Sequence, residues 1–134
     1  KMKTLTTIAL ILLGATAVGC QPNYTLDFRI LSAPPGEVTM SDSLIDIEEG
    51  LVAMAVVIPF RADEQMRENT DLALSPAAAQ IVRVNRLEDP DDVDDRGDWY
   101  FTFAGSRAGS TVLEFFIDGE YEGDVPVVVR TQAP

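Results

Sequence analysis

From Tyr24 onward the chain alternates between short apolar runs and polar breakers, and the runs have the length of strands rather than helices. Residues 24–31 (YTLDFRIL) alternate in polarity and are β-prone, so part of the segment ahead of the domain is expected to pair with the domain edge. Residues 44–47 form a short run ended by Glu48-Glu49-Gly50, and residues 51–58 (LVAMAVVI) are apolar throughout between Gly50 and Pro59. Eight apolar residues between breakers favour a buried strand over a helix. Residues 61–70 (RADEQMRENT) are polar and fit a loop or a single helical turn, and residues 71–74 and 81–84 are short strand candidates on either side of Ser75-Pro76. In residues 99–103 (WYFTF), alternation puts Trp99, Phe101 and Phe103 on one face and Tyr100 with Thr102 on the other. Residues 111–117 (TVLEFFI) likewise turn Leu113, Phe115 and Ile117 one way and Val112, Glu114 and Phe116 the other. Asp118-Gly119 between two β runs predicts a type I′ hairpin, because both central residues of that turn need positive φ. The returning strand ends in residues 125–129, and Pro126, lacking an N–H, is expected to begin that strand or to lie at an edge. About seven short strands with turns every 8 to 12 residues predict an all-β fold, an antiparallel sandwich.

Several short motifs sharpen that expectation. Glu49-Gly50 precedes the long apolar strand, and Ile81-Val82-Arg83-Val84 follows it. Ala108-Gly109-Ser110-Thr111 opens a strand that ends in Asp118-Gly119, and a valine-rich strand closes the chain. Over residues 44–130 this succession resembles bacterial Ig-like domains, and the resemblance implies an Ig-like β-sandwich. The acidic stretch at 88–98 departs from it, being longer than the usual connection at that place.

The N-terminal pattern is different. Lys1 and Lys3 precede an apolar run over residues 8–18, too short for a comfortable membrane span and laid out like a secretory signal. It closes on Ala17-Val18-Gly19-Cys20. Small residues running into a cysteine resemble the lipobox of bacterial lipoproteins, with Ala17 where leucine is usual. The resemblance implies cleavage before Cys20, a diacylglyceryl group on its thiol and, with Gln21 rather than an acidic residue next, transfer to an outer membrane. Residues 1–19 are thus expected to be signal, residues 20–43, with Pro22, Pro34, Pro35 and Gly36, lipidated cysteine and tether, and residues 44–131 the sandwich. The alternatives are an ordinary secretory signal with a chance cysteine, or an anchor left uncleaved.

Charge narrows the partners. Residues 20–134 carry eight arginines and no lysine against 22 acidic residues, a net charge of −14. Such a surface repels nucleic acid and anionic membranes, so the expected attachment to a membrane is through lipid on Cys20, not through a basic patch. Cys20 is the only cysteine, so a disulfide within the chain is excluded and stability must come from packing.

Candidate chemistry is thin. There is no histidine, and no lysine beyond the signal, so nucleophilic triads lack a base. A carboxylate-only hydrolase would need two acids across a cleft, and nothing in the sequence singles out a pair. Asp91, Asp92, Asp94 and Asp95 are dense enough to suggest a calcium site, although Arg96 and Phe103 break the EF-hand frame at positions where oxygen ligands belong. The other reading of this stretch is a solvated acidic loop that keeps a sheet edge soluble. Most aromatics read as core, while Tyr100 and Phe116 fall on the opposite faces of their strands and form a candidate binding patch. The sequence therefore points to a non-enzymatic, lipid-anchored envelope protein whose domain serves adhesion, scaffolding or binding of a protein or surface polymer, with a calcium-dependent binding module as the alternative.

Overall fold

The computed structural model describes residues 24–62, 64–66, 71–87 and 99–132, which form two β-sheets packed face to face. In chain order the strands are β1 (Tyr24–Ser32), β2 (Val38–Met40), β3 (Ile45–Glu48), β4 (Val52–Arg61), β5 (Glu64–Gln65), β6 (Leu72–Pro76), β7 (Val82–Leu87), β8 (Trp99–Gly105), β9 (Gly109–Ile117) and β10 (Glu120–Arg130). One sheet runs β1-β4-β8-β7, with β5 beside the end of β4, and the other runs β2-β3-β10-β9-β6. The pairs are antiparallel except β3 with β10, which is parallel. Four strands of the first sheet and β6, β9 and β10 of the second reproduce the two-sheet strand order of immunoglobulin domains.

Burial explains why these segments are strands. Leu26 and Phe28 of β1, Ala53, Ala55 and Val57 of β4, and Phe101 and Phe103 of β8 point inward from one sheet. Ile45, Ile47, Leu113, Phe115, Ile117, Val125, Val127 and Val129 meet them from the other. Phe28 lies edge-on to Phe103 at 6.2 Å, and Phe101 is tilted against Phe103 at 6.4 Å. The unbroken apolar run of β4 has its own cause. Val56 and Ile58 lie on the outer face yet are buried, with Arg29 and Tyr100 beside Val56 and Asp27 beside Ile58 in the register. A strand covered on both faces loses its polar alternation.

Four sequence expectations are corrected here. Residues 24–31 pair at the domain edge as expected, β1 with β4 from Tyr24↔Arg61 to Ser32↔Met54, but residues 24–43 are not tether, since Leu26, Phe28 and Val38 belong to the core. The Pro34-Pro35-Gly36 stretch carries the chain from one sheet to the other, so the sandwich begins by Tyr24 and not at residue 44. The seven expected strands are all present, and β1, β2 and β5 bring the described strands to ten. Within residues 61–70, Glu64 and Gln65 fold back on Phe60 and Arg61 as β5, in place of a helical turn.

The fourth correction concerns Pro126, which sits inside a central strand. The Val112 carbonyl accepts from the Ala77 N–H, so the peptide groups of Val112 face β6. Pro126, opposite Val112, therefore turns its nitrogen away from β9 toward β3, whose pairing starts only at Val127↔Ile45. The missing N–H falls where the strand is locally an edge.

The hairpin at Asp118-Gly119 forms as expected. Asp118 has φ 51° and Gly119 φ 85°, the two left-handed residues of a type I′ turn.

Candidate functional site at one end of the sandwich

The strand directions bring the β4–β6 connection, the β7–β8 connection and the β9–β10 turn to one end of the sandwich, together with the start of β1. In antibody variable domains the loops of one end form the binding surface, which makes this end the first place to look for a site. Its described floor is a connected set of four residues. Asp71, just ahead of β6, donates its backbone N–H to the Asp118 carboxylate at 2.9 Å, and Asp118 returns its N–H to the Asp71 carbonyl at 2.9 Å. Arg86 of β7 donates from Nη1 to Oδ1 of Asp71 at 3.0 Å while its guanidinium lies 3.7 Å over the Trp99 ring. Arg86 and Trp99 belong to one sheet and Asp71 leads into the other, so the guanidinium ties the two layers at this end. The Trp99 indole N–H is buried and has no partner among the described residues.

The candidate calcium ligands Asp91, Asp92, Asp94 and Asp95 and the candidate lipidation site Cys20 lie outside the described residues. Covalent continuity alone roots the 88–98 stretch between Leu87 and Trp99, beside the Arg86 set.

Tyr100 and Phe116 do not form a patch. Phe101 and Phe103 face the core from one sheet and Phe115 and Ile117 from the other, so Tyr100 and Phe116 project from opposite outer surfaces. Alternation gives the side of a residue's own strand but not which sheet that strand joins. The actual neighbour of Phe116 is Tyr121, its cross-strand partner, with ring centroids 5.8 Å apart at 70°. A two-residue turn at Asp118-Gly119 fixes that register, so Tyr121 was readable from the turn. Tyr121 is half exposed, and its hydroxyl donates to Oδ2 of Asp124 at 3.0 Å. This hydrogen bond to a carboxylate holds the phenol above its ordinary pKa.

A second polar cluster sits on the outer face of the β2-β3-β10 sheet. The β2–β3 register, Val38↔Ile47, continues one step to place Glu37 across from Glu48, and Arg130 of β10 pairs with Glu48 on its other side. The hydrogen bond between the Glu37 and Glu48 carboxyls raises the pKa of Glu37 above 4.5, with Coulomb repulsion adding to it and Arg130 opposing it. Arg130 also donates from Nη2 to the Glu37 carbonyl at 3.1 Å and from Nε to the Asp46 carboxylate.

One groove of about 300 Å³ opens between the outer edges of the two sheets, lined by Thr25 to Phe28 of β1, by Met40, Ser41 and Asp42, and by Phe60. Asp27 in that groove is engaged by Arg29 at 3.1 Å, and Asp42 is exposed.

Comparison with known proteins places the fold. No protein-family model matches the chain, and no curated protein matches it. Among solved structures it is similar to domains 4 and 5 of the S-layer protein SbsC, with a TM-score of 0.51 and 11% identity over 86% of this chain and 79% of that one. It is also similar to the structure of surface layer protein SbsC, domains 4–9, with a TM-score of 0.52 and 11% identity over 84% of this chain. There it spans only 22% of the longer chain. At such identity the likeness defines a class of fold, a β-sandwich of the kind found in surface-layer proteins.

Proposed function

We propose that the chain is a lipid-anchored, non-catalytic protein of the cell envelope whose Ig-like domain binds a protein or a surface polymer. The observation that carries this reading is the single cysteine, Cys20, ending an apolar signal-like segment four residues ahead of the first core strand. A disulfide-free sandwich leaves that thiol without a structural role within the chain. The likeness to surface-layer domains supports the envelope setting, and the exposed Tyr121 beside Phe116 supports a contact surface at the β9–β10 hairpin. The acidic surface adds that the bound partner is neutral or basic.

The test is the variant Cys20→Ser in a bacterial host fed a labelled fatty acid. The wild-type chain is expected in the membrane fraction and labelled, whereas the serine chain is unlabelled, folded and in the soluble fraction. A serine chain that remains in the membrane pellet overturns the lipoprotein reading and makes the N-terminal segment a retained anchor.

A further inference from the structure

We infer that the free edge of β1 is a self-pairing surface, where a second copy of this chain adds its own β1 antiparallel about a two-fold axis through Phe28.

Backbone polarity makes the edge available. Met66 donates its N–H to the Pro59 carbonyl on the β5 side of β4, so the peptide groups of Pro59 point away from β1. Leu26, which pairs with Pro59, is therefore in a non-hydrogen-bonded pair and turns its own N–H and C=O outward. By alternation Phe28 and Ile30 do the same. β1 is the outermost strand of its sheet, and among the described residues no strand covers these groups. They border the groove of about 300 Å³ described above, which runs along residues 25–28.

Apart from the charges of Asp27 and Arg29, the strand lacks the usual defences of an edge. It has no proline, no lysine and no bulge between Tyr24 and Ile30, and its exposed residues include Ile30 and Leu31.

Its sequence is complementary to its own reverse. Centred on Phe28, antiparallel pairing sets Phe28 against Phe28, Leu26 against Ile30 and Asp27 against Arg29 of the second copy. The outward-facing peptide groups of Leu26, Phe28 and Ile30 then fall into hydrogen-bonded pairs, each exchanging two N–H···O bonds. Asp27 and Arg29 fall into the closer, non-hydrogen-bonded pairs, where opposite charges stabilise. Within one chain Arg29 already donates from Nε to Asp27 at 3.1 Å, and both side chains are exposed, so each is free to exchange its partner for the other copy's. The contact is isologous, so one two-fold closes it into a dimer and no free β1 edge remains to propagate a fibre.

Two differently tagged copies of the full chain, extracted in mild detergent, are the test. Wild-type copies are expected to co-purify and to sediment with twice the mass of the tagged monomer. Asp27→Arg alone and Arg29→Asp alone each place like charges across both symmetric positions, and self-recovery is expected to fall by about tenfold. Mixing the Asp27→Arg copy with the Arg29→Asp copy restores opposite charges at both positions and recovery with them, as does the double swap within one chain. Circular dichroism of each variant confirms that these exposed changes leave the sandwich folded. Monomeric wild-type chain overturns the proposal, and so does a dimer indifferent to both single swaps, which pairs elsewhere. The outcome does not depend on Cys20, so its failure is distinct from failure of the lipid anchor.

Discussion

Arg86 joins two kinds of interaction in one side chain. Its guanidinium plane covers Trp99 at 3.7 Å, and the edge of the same plane reaches Asp71 at 3.0 Å. The ion pair contributes little alone, since Asp71 is exposed and the Arg86 side chain is about one-third exposed. The stacking on a partly buried indole carries more, of order 1 kcal/mol. Arg86→Ala is therefore expected to lower stability by about 1 kcal/mol, several degrees in melting temperature for a domain of this size. The same variant should shift Trp99 fluorescence to longer wavelength, because water replaces the guanidinium over the ring. Arg86→Lys keeps the charge but not the plane, and its loss should be close to that of alanine. Thermal melts and emission spectra of both variants check this.

Among the elements, the seam between β2 and β3 is where opposed chemistry was built in. Glu37 and Glu48 face each other across it, and like charges so placed destabilise unless one carboxyl keeps its proton. The folded state thus favours protonated Glu37. Its contribution to stability is fully present below pH 4.5 and is lost as pH rises through the raised folded value. Glu37→Gln removes this dependence while keeping a hydrogen-bond donor. Melts taken from pH 4 to neutral should show the variant gaining on the wild-type chain as pH increases, and a constant difference would mean that the pair does not share a proton. The β9–β10 hairpin was legible beforehand because its turn chemistry is local to Asp118 and Gly119. β1 was legible as a strand at residues 24–31, but its place in the core and the existence of β2 were not, because Pro34-Pro35-Gly36 looks the same in a tether and in a crossing between sheets. What distinguishes the two is the burial of Leu26, Phe28 and Val38 against distant strands. Tyr100 and Phe116 were misjoined for a related reason: strand alternation was right for each, and sheet membership is a long-range fact.

At the scale of the whole molecule, the core accounts for stability without a disulfide. Aromatic and branched residues from both sheets interlock, and among the described residues Glu48 is the one charged residue to be buried. One feature of the topology also fixes an orientation. Tyr24 opens β1 at the same end of the sandwich as Trp99, Asp118 and the root of the acidic 88–98 stretch. Between Cys20 and Tyr24 there are four residue steps, a leash of about 14 Å at full extension. A lipid on Cys20 would hold that end, and not the far end at Arg130, against the bilayer. Trp99 is the only tryptophan, so it becomes a built-in gauge of standoff: energy transfer from it to acceptor-labelled headgroups reports the gap directly. The leash is comparable to the screening length in dilute buffer, about 10 Å at 0.1 M salt. The acidic end should therefore hover away from anionic vesicles at low salt and settle as salt is added, with transfer increasing; on neutral vesicles salt should make no difference. With a lipid on Cys20, the short leash would turn an ordinary surface charge into a spring between domain and membrane.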